Sequence, residues 1–152
     1  MEKIERGGRM RILSVDLGDA RTGLAVCDAG ERLASPVGTL FQRDREKLLS
    51  QVAEAVREQR AELVVVGHPR NMDGTRGESA RKAEAFAERL RQETGLTVEL
   101  WDERLTTASA IGFLNRTDTR GQKRKNVVDT VSAVIILEDY LSHRRRQKEQ
   151  TR

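Results

Sequence analysis

Residues 11–41 read RILSVDLGDARTGLAVCDAGERLASPVGTLF, and this stretch decides the fold. Arg11 to Asp16 is an apolar run that closes on a carboxylate, the pattern of a buried strand. Leu17 to Arg21 is a turn carrying Gly18, and Thr22 to Cys27 is a second apolar strand. Asp28-Ala29-Gly30 supplies turn chemistry. Arg32 to Phe41 reads as a third strand interrupted by Pro36. Links this short cannot carry a crossover, so the three strands form an antiparallel meander.

Outward from the meander the period changes from two to 3.6. Asp44 can cap a helix to about Arg60, with Leu48, Leu49, Val52, Ala55 and Val56 on one face. Glu62 to Gly67 (ELVVVG) is a buried strand, and a polar loop, HPRNMDGTRGE, fills 68–78. The next helix runs from about Ser79 to Thr94, shows Ala83, Phe86, Ala87 and Leu90 on one side, and has Gly95 as its C-cap. Leu96 to Asp102 (LTVELWD) is a fifth strand. Thr106 or Thr107 caps a short helix with Ala108, Ile111 and Leu114. Asn126 caps a last helix to about Leu141, after which a disordered tail is expected. Strands alternating with helices after a meander imply an α/β fold, a five-stranded mixed sheet with helices on its faces. The expected division is one domain over 10–142, a flexible leader over 1–9 and a basic tail over 143–152. Met10 is a candidate natural start.

The 152 residues are 37% hydrophobic and 3% aromatic. A length of this order supports one domain with a real core. Nothing approaches 18 consecutive apolar residues, so no membrane helix is expected. The N-terminus lacks the apolar segment of a secretory signal, and the single cysteine cannot form an internal disulfide. Both point to the cytoplasm. The scarcity of aromatics argues against a base-stacking RNA-binding sheet. One Cys and two distant His exclude a Cys/His metal cluster. Any metal is therefore a hard cation on oxygen ligands.

The net charge of +4 hides an uneven distribution. Residues 143–152 carry +4, 116–125 carry +4 and 1–11 carry +2, which leaves −6 on the remainder. Such appendages are either solvated tails or phosphate-backbone contacts around an acidic site. In the second reading Lys123, Arg124 and Lys125 bind nucleic acid, from a segment, 116–125, that has little to bury and is expected to be mobile. Arg outnumbers Lys 22 to 6, which suits bidentate grip on phosphate and equally suits a composition bias.

Four carboxylates stand at the ends of elements. Asp16 closes the first strand, Asp102 and Glu103 close the fifth, and Asp129 lies in the first turn of the last helix. Each alone has an ordinary explanation as a cap or an ion pair. Together, at ends that can converge on one sheet edge, they fit metal-assisted phosphodiester hydrolysis. In that chemistry two Mg²⁺ ions about 3.5–4 Å apart clamp the attacking and leaving oxygens. Strand alternation allows only one of Asp102 and Glu103 to face such a site unless the strand has already ended. Cys27 and Trp101 read as core packing. His68 reads as a loop hydrogen-bonder or a phosphate contact, Asn71 and Asp73 as turn or substrate residues, and His143 as a solvated tail residue.

The residues also carry a resemblance. Leu13 to Cys27 (LSVDLGDARTGLAVC), with its D-x-G-x-x-R-x-G from Asp16 to Gly23, resembles the first motif of the YqgF/RuvX family. Gly67 to Gly74 (GHPRNMDG), Trp101 to Thr107 (WDERLTT) with Ala110, and Asn126 to Asp129 running on to Ala133, Ile136 and Leu137 resemble the others. The actin-like ATPases share the phosphate-loop pattern but need two lobes, and this chain is too short for that. The YqgF/RuvX resemblance spans Met10 to Leu141. It implies an RNase H-like fold related to the RuvC junction resolvases. It also implies a nuclease acting in maturation of the 5′ end of 16S ribosomal RNA, with Mg²⁺ or Mn²⁺ as cofactor. It implies Asp16, Glu103 and Asp129 as the catalytic, metal-binding triad, with Arg21 and Arg104 as basic positions beside it. His68 stands where the family usually has Leu or Val. The expected partner is nucleic acid, with precursor ribosomal RNA favoured and no membrane. Competing readings are a DNA junction resolvase and a non-catalytic RNA-binding factor in ribosome assembly or transcription. A resolvase would be a stable dimer. No long heptad or broad apolar stripe announces one, so monomer and dimer both remain open.

Overall fold

The computed structural model describes residues 9–105 and 121–150, with side chains described over 9–104 and 131–149. The elements are β1 (Ile12–Asp16), β2 (Arg21–Cys27), β3 (Ala34–Phe41), α1 (Arg45–Glu58), β4 (Leu63–His68), α2 (Glu78–Thr94), β5 (Thr97–Asp102), a single 3₁₀ turn (Glu103–Leu105) and a long α3 (Gly121–Gln150). The sheet order is β3-β2-β1-β4-β5. β1–β2 and β2–β3 pair antiparallel, and β1–β4 and β4–β5 pair parallel. The expected five-stranded mixed sheet with an antiparallel meander is therefore present, and Asp16 ends its central strand.

The layering follows from alternation. Leu13, Val15, Leu24, Val26, Val64, Val66 and Val98 turn to one face, where they pack with α1 and α2. Ile12, Ala25, Cys27, Leu63, Val65 and Trp101 turn to the other, against Ala133, Ile136, Leu137, Tyr140 and Leu141 of α3. Both crossover helices lie on one side because the sheet grows in one direction from β1, and right-handed crossovers then repeat the same face. Asp44 caps α1 by accepting from Lys47 N at 3.0 Å. Gly95 ends α2 in the left-handed conformation, at φ 74°. Pro36 lies on the edge strand, where its missing N–H costs no ladder bond, and the β2–β3 register shifts beside it, between Leu24 and Ala25.

Two expectations change at the C-terminal end. The last helix begins by Gly121 and not at Asn126, so 121–125 of the segment expected to be mobile are helical. Gln, Lys and Arg there are good helix formers without an apolar stripe. The short helix from Thr106 or Thr107 and residues 116–120 lie outside the described residues. The tail is not disordered after Leu141, because the helix continues to Gln150. Its anchor is Glu31, only 4% exposed. Arg144 donates to both Glu31 carboxylate oxygens, at 2.9 and 2.8 Å, and Met10 N donates to one of them at 2.7 Å. Trp101 stacks edge-on to Tyr140, with centroids 5.8 Å apart, and meets His143 at 5.4 Å. Among the described residues no helix is long and apolar enough to cross a membrane.

Removing one partner of a buried ion pair leaves a charge without compensation. Arg144→Ala is expected to destabilise the fold by about 3 kcal/mol, read from urea denaturation. A loss under about 1 kcal/mol would show that Glu31 finds water or another cation.

Candidate active site

Strand ends decide which side chains meet. β1 runs parallel to β4 with Val15 opposite Val66, and β4 runs parallel to β5 with Gly67 opposite Trp101. Asp16 is therefore next to Gly67 across the β1–β4 ladder, about 4.8 Å away at the backbone. Alternation puts Asp16 on the face of Ser14, whose buried hydroxyl donates to the Ala133 carbonyl of α3 at 2.7 Å. Arg21 belongs to the same face and the same end, because Asp16 pairs with Gly23 and Arg21 is two residues away on β2.

The fifth strand separates Asp102 from Glu103. Asp102 pairs with His68, and His68 faces α2, where its Nε2 lies 2.7 Å from a Glu84 carboxylate oxygen. Asp102 thus turns to the α2 side. There Arg104 donates to both of its oxygens from Nε, at 3.1 Å each, and from Nη2 at 2.7 Å. This bond to Arg104 holds the Asp102 carboxyl below its usual range. Arg70 Nη1 lies 4.0 Å from the same carboxylate. Glu103 takes the opposite face. A Cβ built on Gly67 would collide with its carboxylate and come within 2.9 Å of Ile136 Cδ1 of α3. Its carboxyl is half-buried over Gly67, beside the Asp16 position. Desolvation, then the negative charge of Asp102, push its pKa up.

Asp129 lies in α3 as backbone only, since its side chain is outside the described set. α3 runs antiparallel to β1: Ala133 lies over Ser14, while Arg144 reaches Glu31 near the start of β1. One turn back from Ala133 spans about 5.4 Å, close to the two-residue rise from Ser14 to Asp16. Position 129 is therefore level with the end of β1. Lys123, Arg124 and Lys125 lie further along the same helix, again as backbone only. Arg104 is not with the acidic group, because its Nε and Nη2 bind Asp102 on the α2 side. Among the described residues no three His, Cys, Asp or Glu side chains already form a metal-sized cluster.

Sequence reading overlooked Gly67 as a cradle. The signal was a glycine closing an otherwise β-branched strand, where only a close approach explains a missing side chain. Gly18 shows the same logic in the first loop, where a Cβ would strike the Arg21 carbonyl. Thr22 Oγ1 accepts from Gly18 N at 3.3 Å and closes that turn.

A family model described as "RuvX: Holliday junction resolvase" matches residues 10–143. The chain belongs to the RuvX family. With it the chain is placed among nucleases, hydrolases acting on phosphodiester bonds. A protein of Anaeromyxobacter sp. (strain Fw109-5) named "Putative pre-16S rRNA nuclease" is 44% identical over 135 residues, covering 89% of this chain and 98% of its own length. One of the same name from Clostridioides difficile (strain 630) is 40% identical over 131 residues, covering 86% and 93%. The fold is similar to that of Thermus thermophilus RuvC solved with a Holliday junction substrate, at TM-score 0.57, 13% identity and coverage of 88% of this chain and 96% of that one. It is also similar to the fowlpox virus Holliday junction resolvase, at TM-score 0.51, 14% identity and coverage of 88% and 99%. These two likenesses are of fold, and they agree with the RNase H-like architecture of a RuvX chain.

Two outcomes follow for this site. Gly67→Ala is expected to displace the Glu103 carboxylate and cut nuclease activity at least tenfold, with helix content by circular dichroism unchanged; full activity would show that the cradle is dispensable. A carboxyl with a raised folded pKa favours folding below its unfolded value of about 4.3, and that contribution is lost as pH rises through the folded pKa. In EDTA, Glu103→Gln is expected to be more stable than wild type at pH 7 and to lack the stability decline above about pH 4.3. Superimposable pH–stability curves for the two proteins would refute the desolvation of Glu103.

Proposed function

We propose that this RuvX chain is a divalent-metal-dependent nuclease that matures the 5′ end of 16S ribosomal RNA. Asp16, Glu103 and Asp129 are its catalytic, metal-binding carboxylates, within one domain over 10–142. The observation that carries this is the return of Glu103 over Gly67, which puts its carboxyl on the face and at the strand end that Asp16 occupies. The donor set is all oxygen, and Glu103 is held in a place where its ionised form is unfavourable without a cation. Both features fit Mg²⁺ or Mn²⁺. Such an ion would supply charge neutralisation at the phosphate and activation of the attacking water. The chain's own part is positioning. Asp16 and Glu103 stand at two strand ends, and α3 carries position 129 level with them. Arg21 approaches a phosphate oxygen from the same face, and Arg104 and 123–125 contact the nucleic-acid backbone further out. Precursor ribosomal RNA is the partner by analogy with the relatives' names, in the cytoplasm.

The test incubates the purified chain and Asp16→Asn with Mg²⁺ or Mn²⁺ and either precursor 16S RNA or four-way junction DNA. Wild type is expected to cut the RNA, and Asp16→Asn to lose at least about 100-fold. Cutting of the junction alone favours a resolvase, and equal behaviour of the two proteins favours a binding factor. Mg²⁺ at about 100 times its Kd stabilises a folded protein by about 2.7 kcal/mol. It is expected to raise the melting temperature of wild type but not of Asp16→Asn. The mutant alone should melt no lower than wild type, because it removes like-charge repulsion. A lower-melting mutant with no metal shift in wild type would sink the metal assignment.

A further inference from the structure

Phe41 is the last residue of β3 and, at 54%, one of the large apolar side chains left exposed among the described residues. We propose that its ring is a stacking platform for an unpaired base of the nucleic-acid substrate, beside the carboxylate end of the sheet. This inference rests on the reading of Asp16 and Glu103 as the reacting end, and it adds a preference for single-stranded substrate there.

Register places the ring. β3 runs parallel to β1, because both pair antiparallel with β2, so Phe41 closes its strand at the end where Asp16 closes β1. The face follows from the ladder. Asp16 pairs with Gly23, Gly23 with Thr39, and Arg21 with Phe41. Two residues along a strand return to the same face, so Phe41 shares the α3 face with Arg21, Asp16 and the returning Glu103. The register shift between Leu24 and Ala25 lies outside this stretch and leaves its alternation intact. Ala34, at the start of β3, is buried among residues of α3. The helix therefore covers that end of the strand and leaves Phe41 in the open. The position is also stiff. Just past Phe41, Gln42 N donates to the Ala20 carbonyl at 3.0 Å, and Gln42 Oε1 accepts from Asp44 N at 3.1 Å.

A lone exposed apolar residue is ordinary on a protein surface, and what sets Phe41 apart is its place. At the backbone it lies two ladder steps of about 4.8 Å to the side of Asp16 and two residues, about 6.7 Å, along the strand, about 12 Å in all. A stacked strand covers that distance in three to four nucleotides at about 3.4 Å each, and an extended strand in fewer. A base so near the cut reaches the ring only when unpaired, since a paired base keeps its faces inside the helix stack. The surroundings favour a base over a protein. The ring's neighbours on the sheet are Arg21, Thr39 and Gln42, so it is not the centre of the broad apolar patch that docks a protein. A base needs one ring, and every base has a face to lay on it.

The experiment measures binding in EDTA by fluorescence anisotropy, across a salt series. The probes are a labelled single-stranded RNA of about 12 nucleotides and an abasic strand with the same number of phosphates. Phe41→Ala should lose at least about fivefold in affinity for the RNA and nothing for the abasic strand. Its log Kd–log salt slope should stay at the wild-type value, because stacking releases no counterions. Phe41→Leu, apolar but without a ring, should lose affinity as Phe41→Ala does, and Phe41→Trp should bind at least as tightly as wild type. Leu33→Ala removes an equally exposed apolar residue at the other end of β3 and should leave binding unchanged. Wild-type affinity of Phe41→Ala for the RNA, equal loss on both strands, or wild-type affinity of Phe41→Leu would each overturn the proposal. So would a change of oligomeric state in Phe41→Ala by sedimentation, which would make the ring a contact between chains. Asp16→Asn should show the same dependence on Phe41 in EDTA. A failure of the carboxylate assignment would instead appear as cleavage by Asp16→Asn, so the two failures are distinguishable.

Discussion

The hydroxyl of Ser14 is the contact on which the rest depends. It lies in the middle of the central strand, fully buried, and donates to the carbonyl of Ala133, 119 residues further along the chain. A buried hydroxyl without a partner is costly, so only placements of α3 that bring a free carbonyl lone pair over Ser14 are acceptable. The side chain of Ala133 is small enough for the helix backbone to come that close. Apolar packing alone would tolerate a helix sliding along the sheet. One directional bond in the dry layer removes that freedom and fixes which residue of α3 stands over the end of β1.

The same economy operates at the fifth strand. A sheet sends successive side chains to opposite faces, so adjacent carboxylates at 102 and 103 acquire opposite tasks without any further device. Asp102 faces α2 and binds Arg104, with Arg70 nearby, which holds the 70–74 loop to the strand end. Arg70 Nη2 also donates to the Gly74 carbonyl at 2.8 Å. Glu103 begins the 3₁₀ turn and folds back across Gly67. The two have opposite electrostatic surroundings, cations for one and desolvation for the other, and their carboxyl pKa values move in opposite directions for that reason.

The meander, the two crossover helices and the position of Asp16 were legible in the sequence because each rests on a local signal. Those signals are short links, a 3.6-residue stripe and a carboxylate closing an apolar run. The choice between Asp102 and Glu103 was not legible, since alternation fixes relative faces but not which face the helix covers. Glu31 was invisible for a related reason. In the sequence it is one more charged residue in a turn, and its burial depends on Arg144, 113 residues away. The helical tail was missed with it. A run of Arg and Lys has no apolar period, and its described anchors, the Glu31–Arg144 pair and the packing of His143 on Trp101, are long-range. His68 resolved toward the quieter alternative, a bond to Glu84, with Arg76 reaching the same carboxylate at 3.1 Å.

Placed together, these contacts make α3 a lever with two fixed points. Ser14 sets its height over β1, and the Glu31–Arg144 pair sets its rotation at the far end. A slip of one residue rotates a helix by about 100°, enough to carry position 129 off the sheet face. A slip of a whole turn restores the face but moves that position about 5.4 Å along β1, past the end where Asp16 and Glu103 lie. Neither slip can keep both the Ser14 bond and the Glu31 pair. The placement of position 129 beside the strand-end carboxylates is thus determined by groups that take no part in chemistry, one in the dry core and one at the opposite end of the molecule. That is why a polar residue in the core and a buried charge in a surface turn, both costly for stability alone, have a reason to be there.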